Sequence, residues 1–255
     1  MSAIEQELYP WLITGGIVTA LIIFVTLLLI PAPYGRHTRQ GWGPSTNSRL
    51  GWILMELTSA SVFAGCFLWG WGVHGGGVWI LTAMWEIHYI NRSLVFPFRM
   101  RESGKRTPML IVLFGMLFNV FNGYINGRYL GVAGAAYNAG WLTGPRFMIG
   151  AALFAVGMAI NLHADEILFR LRQPGERDYK IPHGGLYRWI SCPNYFGEVV
   201  EWTGWAVATW SWPGLVFAVW TAANLVPRAL AHHRWYRHRF IAYPPERRAI
   251  IPLLL

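Results

Sequence analysis

The chain has 255 residues, of which 54% are hydrophobic and 13% charged, with 15 tryptophans and a mean hydropathy of +0.33. Soluble domains carry about 25% charged residues, so the composition excludes an ordinary water-soluble globule and points to a single membrane domain over residues 1–255. The net charge of +9 is gathered in alternate loops rather than spread over one face, which excludes a nucleic-acid surface and leaves a topology signal.

A helix that crosses a membrane needs roughly 20 mostly apolar residues. In chain order the candidates are Trp11–Ile30, Leu50–Trp71, Val78–Phe98, Met109–Leu130, Phe147–His163, Val199–Trp210 and Leu215–Leu230. The first lacks a basic leader and an Ala-x-Ala cleavage site, so it is expected to be retained. The sixth is short; it either begins earlier, near Tyr195, or forms a hairpin with the seventh across Ser211–Gly214. The expected fold is an all-α integral membrane protein, a bundle of seven transmembrane helices.

Basic residues set the orientation. The segment before the first span has Glu5 and Glu7 but no Lys or Arg, and the loop after it has Arg36, Arg39 and Arg49. Arg99, Arg101, Lys105 and Arg106 follow the third span. Arg170, Arg172, Arg177, Lys180 and Arg188 follow the fifth, and Arg228 at the end of the seventh is followed by five further arginines. The alternation places the N-terminus outside and the C-terminus in the cytoplasm, with the polar-rich loops on the cytoplasmic side.

Ionisable groups inside such spans are costly unless they pair or serve a function. Glu56 lies in WILMELTSA of the second span. In WEIHYINRSLVF of the third, Trp85, Tyr89 and Arg92 share a face at i, i+4, i+7, while Glu86 and His88 are expected to point elsewhere. A Tyr hydroxyl beside a buried Glu is a proton-donating pair suited to a ligand carbonyl; taken alone, each reads equally well as packing or a structural hydrogen bond.

The run from Asn161 to Glu201 holds more than a third of the chain's carboxylates. Within it Asn161, Asp165 and Arg172 form one helical stripe and Asn194, Glu198 and Glu201 another. Arg228, His232, Tyr236 and Arg239 form a third in the last span. Three polar stripes converging near one membrane surface suit a dinucleotide, whose phosphates take Arg and whose hydroxyls and amide take Asp, Asn or Glu. Interhelical salt bridges are the plainer alternative. The Gly-x-Gly-x-x-Gly at 70–75 follows a membrane helix rather than a strand and is a chance match. Gly123, Gly127 and Gly131 read as helix packing. The two cysteines, Cys66 and Cys192, lie in different settings, so no disulfide is expected, and no metal site is expected from the histidines.

These segments together resemble the steroid 5α-reductase family, in a bacterial-type member. The resemblance covers nearly the whole chain: PAPYGRHT at 31–38, WILMELTS with Glu56, IHYINRSLVFP with Tyr89 and Arg92, the run from Asn161 to Trp202, and HHRWYRHRFIAYPPERRAIIPLL. It implies a membrane enzyme that uses NADPH to reduce a carbon–carbon double bond conjugated to a 3-keto group. Glu56 and Tyr89 would hold the keto oxygen. Arg92, Asn161, His163, Asp165, Arg172, Tyr179, Asn194, Glu198, Arg228, His232 and Tyr236 would surround NADPH. Steroid-binding helices would lie mainly in 11–130 and cofactor-binding helices and loops mainly in 145–255. A monomer is expected, in a bacterial inner membrane or endoplasmic reticulum, with its cofactor site facing the cytoplasm and a steroid or related enone lipid as substrate.

Three alternatives remain at this stage. Some family members act on polyprenol or enoyl lipids. Pro193-x-Tyr195-x-Gly197 also resembles isoprenylcysteine methyltransferases that use S-adenosylmethionine. A sterol binder or transporter would explain an apolar cavity and Glu56, but not three polar stripes.

Overall fold

The computed structural model describes residues 1–33, 37, 41–70, 75–100, 106–171, 176 and 178–255. Arg172 and much of PAPYGRHT lie outside the described residues. Nearly all of the regular structure is helical. The long helices are α1 (Ala3–Leu29), α2 (Ser48–Trp69), α3 (Gly76–Ile90), α5 (Met109–Ala133), α7 (Pro145–Arg170), α8 (Pro193–Thr209) and α9 (Trp212–Arg239). Short helices α4 (Phe96–Arg99) and α6 (Ala139–Leu142) lie between them.

Each expected span falls on one of the long helices, with the third continuing into α4. The limits move for local reasons. α1 starts eight residues before Trp11 because Ser2 and Glu5 form a reciprocal capping box. α2 is capped by the Asn47 side chain, which accepts from the amides of Arg49 and Leu50. α8 starts at Pro193, where a proline at the first helical position leaves no further amide unpaired. Of the long helices, α1, α2, α5, α7 and α9 are long and apolar enough to cross a membrane by length and composition. The other two are shorter: α3 has 15 residues and α8 has 17.

Pro97 explains a break in the third helical run. A proline ring clashes with the carbonyl four residues back and cannot donate to it. The chain absorbs this in a π-helical turn, Asn91–Val95, where the Phe96 amide reaches back to the Asn91 carbonyl. The helical path therefore continues from Gly76 to Arg99 with a changed phase at Arg92.

Two glycine seams set the packing. On α5, a Cβ at Gly127 would stand 2.4 Å from the Phe63 carbonyl oxygen, and one at Gly131 2.4 Å from that of Phe67. On α7, a Cβ at Gly157 would stand 2.3 Å from the Glu201 amide nitrogen of α8. Helices this close gain dispersion and interhelical hydrogen bonds where lipid gives no hydrophobic drive. The first seam runs Met55 to Gly115, Phe63 to Gly127 and Phe67 to Gly131, so α2 and α5 are parallel.

At the start of that pair, β1 (Ser45–Asn47) and β2 (Arg106–Pro108) form an antiparallel strip with Thr46 opposite Thr107. At the same end of the bundle, the segment after α9 is pinned beneath α8. Ser191 and Cys192 donate to the carbonyls of Arg248 and Ala249, and Arg248 donates to that of Trp189. A cluster of Phe63, Trp85, Trp202, Trp205 and Phe217 fills the middle of the bundle. α1 fully buries only Gly16 and Ala20 and leaves much of its apolar surface exposed.

Candidate functional site

The α7–α8 seam brings two of the polar stripes together. Asn161 donates through Nδ2 to the Asn194 carbonyl (3.1 Å) and to Glu198 Oε1 (3.0 Å). Asn194 donates to Asp165 Oδ1 at 3.2 Å. Arg92 enters from the π turn: its Nη1 donates to Asp165 Oδ2 at 3.0 Å, and its Nη2 lies 3.5 Å from Glu198 Oε1. Five of the expected cofactor residues thus form one buried network.

The guanidinium of Arg92 is held between rings, 4.8 Å from Trp52 and 4.2 Å from Phe96, and the Trp52 indole donates to the Arg92 carbonyl. Cation–π contact and fork geometry fix its plane as well as its charge. One cation faces two carboxylates here. Such a site suits a ligand that brings donors, such as hydroxyls or an amide, better than a bare anion.

Tyr89 is one turn deeper and buried, with Glu56 of α2 and the Ser59 hydroxyl beside it. Glu56 retains some accessible surface. Glu56 on α2 and Tyr89 on α3 are thus electrostatic neighbours.

His88 corrects the sequence reading. It is buried rather than turned away, and its Nδ1 lies 2.7 Å from Glu201 Oε1 on α8. Its ring stands edge-on to Tyr89 and Trp202. The signal was present: His88 precedes Arg92 by four residues and so shares its side of the helix.

The third stripe forms a second network. Arg228 donates to Asn224 Oδ1 (2.9 Å) and to the Tyr195 hydroxyl (3.2 Å). That hydroxyl lies 3.2 Å from His232 Nε2, and His232 Nδ1 lies 3.0 Å from His37 Nε2. A small cleft lined by His37, Arg228 and His232 opens here. The remaining expected residues stand apart. His163 lines a separate cleft with Ile167 and Tyr187. Tyr179 packs edge-on against Trp235, and Tyr236 stacks on Tyr243 at 5.3 Å.

Around Tyr243, hydrogen-bond roles can be assigned. Ser191 Oγ donates to the Arg248 carbonyl (3.1 Å), so it must accept from Tyr243 Oη and His233 Nδ1, both at 2.6 Å. Burial pushes the Tyr243 phenol above its ordinary value of 10.0, which keeps it a donor. Arg247 was not anticipated. It is buried, with its plane 5.2 Å from the Tyr243 ring and Nη2 3.4 Å from His183 Nδ1. Its Nε and Nη1 have no hydrogen-bond partner among the described residues. A buried guanidinium with donors to spare is suited to an anionic oxygen.

This geometry occurs in a chain with clear relatives. The profile of the family described as 3-oxo-5-alpha-steroid 4-dehydrogenase matches residues 105–255. The chain is 44% identical over 239 residues to 3-oxo-5-alpha-steroid 4-dehydrogenase 1 of Bos taurus, with 92% of each chain covered. It is 39% identical over 258 residues to steroid 5-alpha-reductase DET2 of Gossypium hirsutum, with 99% of each covered. Against 3-oxo-5-alpha-steroid 4-dehydrogenase 1 of Homo sapiens it is 41% identical, with 87% of this chain and 85% of the other covered. Matches of this extent, over the segments that build both networks, establish that the chain belongs to the 3-oxo-5-alpha-steroid 4-dehydrogenase family.

Proposed function

We propose that this protein reduces the Δ4 double bond of 3-oxo-Δ4-steroids to the 5α product, using NADPH. The observation that carries the reading is the Glu56–Tyr89 pair, set one turn beyond the Arg92 network in a chain of this family. When bound, NADPH supplies the hydride, which reaches C5 of the substrate.

An isolated alkene accepts hydride poorly. In an enone, the charge that develops at the double bond moves to the 3-keto oxygen as an enolate, which takes a proton from water at C4 to give the saturated ketone. Tyr89 would donate a hydrogen bond to that oxygen, with Glu56 behind it, in a site lined by Trp85 and Trp202 that excludes water. A donor of this kind is worth about 2.7–4 kcal/mol in the transition state. His88 and Glu201 would hold α3 against α8 and so keep Tyr89 in position.

The residues fit the cofactor in two parts. Arg92, Asn161, Asp165, Asn194 and Glu198, with their surplus of acceptors, would meet the hydroxyls and the amide. Arg172, Arg228, His232 and Arg247 would meet phosphate oxygens, and the extra phosphate of NADPH over NADH favours an arginine-rich mouth. His163, Tyr179 and Tyr236 would line the outer part.

The parallel course of α2 and α5 supports the topology reading, in which they are the second and fourth of seven spans. The N-terminus is then outside, and the cofactor mouth and C-terminus are cytoplasmic. Exposed apolar faces on α1 and α5 would contact lipid around a monomeric bundle.

The test is mass spectrometry on progesterone or testosterone incubated with detergent-purified protein and NADPH. The expected product has gained two hydrogens, has 5α geometry, and carries deuterium at C5 when the nicotinamide is labelled. NADPH binding without product would redirect the search to other enone lipids. Neither binding nor product would overturn the reading.

A further inference from the structure

The chain beyond α9 turns back to the level where the apolar spans end, a course that the proposed chemistry does not require. α9 runs on to Arg239, about 15 Å past Ala229. Ala249 and Ile250 nevertheless form one buried cluster with Ala229 and Cys192, against which Val226 and Leu230 also pack. Leu230 closes the seventh apolar span. Bonds of 2.8 and 3.1 Å from the Ser191 and Cys192 amides to the Arg248 and Ala249 carbonyls tie the returning segment to the start of α8. Leu186 and Tyr187 line a cleft with His163 and Ile167, where the fifth span ends. The ends of two spans thus fix the depth of residues 187–192 and 248–250: the border between apolar and polar surface.

At that border the returning segment presents apolar side chains outward. Leu253 and Leu254 are 80% and 79% exposed, and Trp189, Ile251 and Leu255 are exposed beside them in the chain or across the pairing. Leu253 has φ of 68°, a left-handed conformation that glycine adopts without strain and leucine does not. Its side chain therefore has a use, and at 80% exposure that use is not packing within the chain. The turn also satisfies most of its own backbone. The Ile250 and Ile251 amides donate to the Leu255 main-chain oxygen at 2.7 Å, and those of Leu254 and Leu255 to the Ile251 carbonyl at 3.2 and 3.1 Å. A segment that meets hydrocarbon needs its backbone paired in this way.

Charge of one sign adjoins the apolar surface. Arg188 and Arg248 are exposed and form no ion pair or side-chain hydrogen bond among the described residues. Arg237 of α9 and Arg248 both act electrostatically on His233, so positive charge converges here. From residue 240 to 255 the single acidic side chain is Glu246. Leucine and tryptophan at the depth of a headgroup layer, with arginines next to them, complement a lipid that carries acyl chains and a negatively charged phosphate.

We propose that the returning segment, with Trp189, is a docking surface for anionic phospholipid in the leaflet at this end of the bundle, the cytoplasmic one in the topology proposed above. Leu253, Leu254 and Trp189 enter the upper acyl layer, and Arg188 and Arg248 bind headgroup phosphate. Arg247 is the residue before the docked Arg248, so the lipid also holds its guanidinium in the mouth. That last step rests on the cofactor reading above.

The test is hydrogen exchange on the full chain in nanodiscs of phosphatidylcholine, alone or mixed with phosphatidylglycerol. The amides of Ser191, Cys192 and Arg248 report closure of the segment and need no cofactor. Anionic lipid is expected to slow their exchange roughly tenfold. Arg188→Gln with Arg248→Gln should abolish the difference between the two discs. Leu253→Asn with Leu254→Ser should speed exchange in both; asparagine tolerates the left-handed backbone at 253, so apolar surface is lost without added strain. Equal exchange of the wild type in both discs, a lipid effect that persists in the arginine variant, or unchanged exchange in the leucine variant overturns the docking. In the anionic discs NADPH should bind the leucine variant several-fold more weakly than the wild type, which carries the same charge. Equal affinity beside faster exchange overturns the hold on Arg247 alone. No NADPH binding by the wild type overturns the cofactor reading, while exchange still decides the docking.

Discussion

The two ends of the inner surface of this bundle are built on opposite terms. Around Arg92, carboxylates, amides and guanidinium are tied to one another across three helices. One to two turns deeper, around Trp85 and Trp202, the walls are aromatic, and Asn122 Nδ2, Trp85 Nε1 and Glu201 Oε2 are buried without hydrogen-bond partners among the described residues. A network so tied resists rearrangement and presents a fixed shape, with acceptors to spare, to a polar ligand. A chamber with spare polar atoms has recognition capacity still to be used. The contrast matches a site that takes a polar cofactor at one end and an apolar substrate with a few oxygens at the other.

Breaking the saturated end should have the largest effect. Arg92→Met leaves Asp165 and Glu198 buried without their cation, which typically costs about 3–5 kcal/mol. We expect a large fall in thermal stability in detergent together with loss of NADPH binding, and a variant that melts like the wild type would refute the network's structural role. In the aromatic chamber, Tyr89→Phe removes one hydroxyl and no packing. Turnover should fall by a hundredfold or more, equivalent to about 2.7–4 kcal/mol, while NADPH affinity and melting temperature hold. Near-normal turnover would remove Tyr89 from its role.

A third change lies far from both. Glu5 of α1 binds Arg128 of α5 at 2.6 and 2.9 Å and accepts from Tyr124. Glu5→Ala leaves a mostly buried guanidinium unpaired and should cost about 1–3 kcal/mol, read as a lower melting temperature with unchanged KM for steroid and cofactor. A shift in KM would mean that the α1–α5 clasp shapes the site. The smallest effect is expected at Glu166, which meets Arg99 and Arg170 at the exposed end of α7. Surface pairs of this kind contribute little, so Glu166→Gln should leave melting unchanged at high salt.

Much of the saturated end was legible in the sequence, because its residues follow helical spacing on α7 and α8, and spacing is what a membrane helix exposes most plainly. Asp165 and Asn161, or Asn194 and Glu198, needed only a shared face to be placed together. Spacing could not show the close approach that makes the faces meet. That depends on Gly157 and Gly197, each indispensable only once the partner backbone is known. The i, i+4, i+7 face of Trp85, Tyr89 and Arg92 leaves His88 out, although His88 lies four residues before Arg92 and so shares its side of the helix. Arg247 lies after the last helix, where no period applies, and its burial follows from the pairing of residues 248–249 with 189–192. The β strip joining the starts of α2 and α5 left no sequence signal either, since strands of three residues carry too little alternation to detect.

The pairing beneath α8 also bears on how the molecule is assembled. Ribosomes make chains from the N-terminus onward, so the earlier helices can enter the membrane before residues 247–249 exist. The backbone bonds from Trp189, Ser191 and Cys192 to Arg248 and Ala249 can form only after that. This end of the bundle is therefore the last part to close. A nascent bundle would hold its aromatic chamber while still lacking the guanidinium of Arg247, and competence to bind a polar cofactor would mark the end of biogenesis rather than accompany insertion.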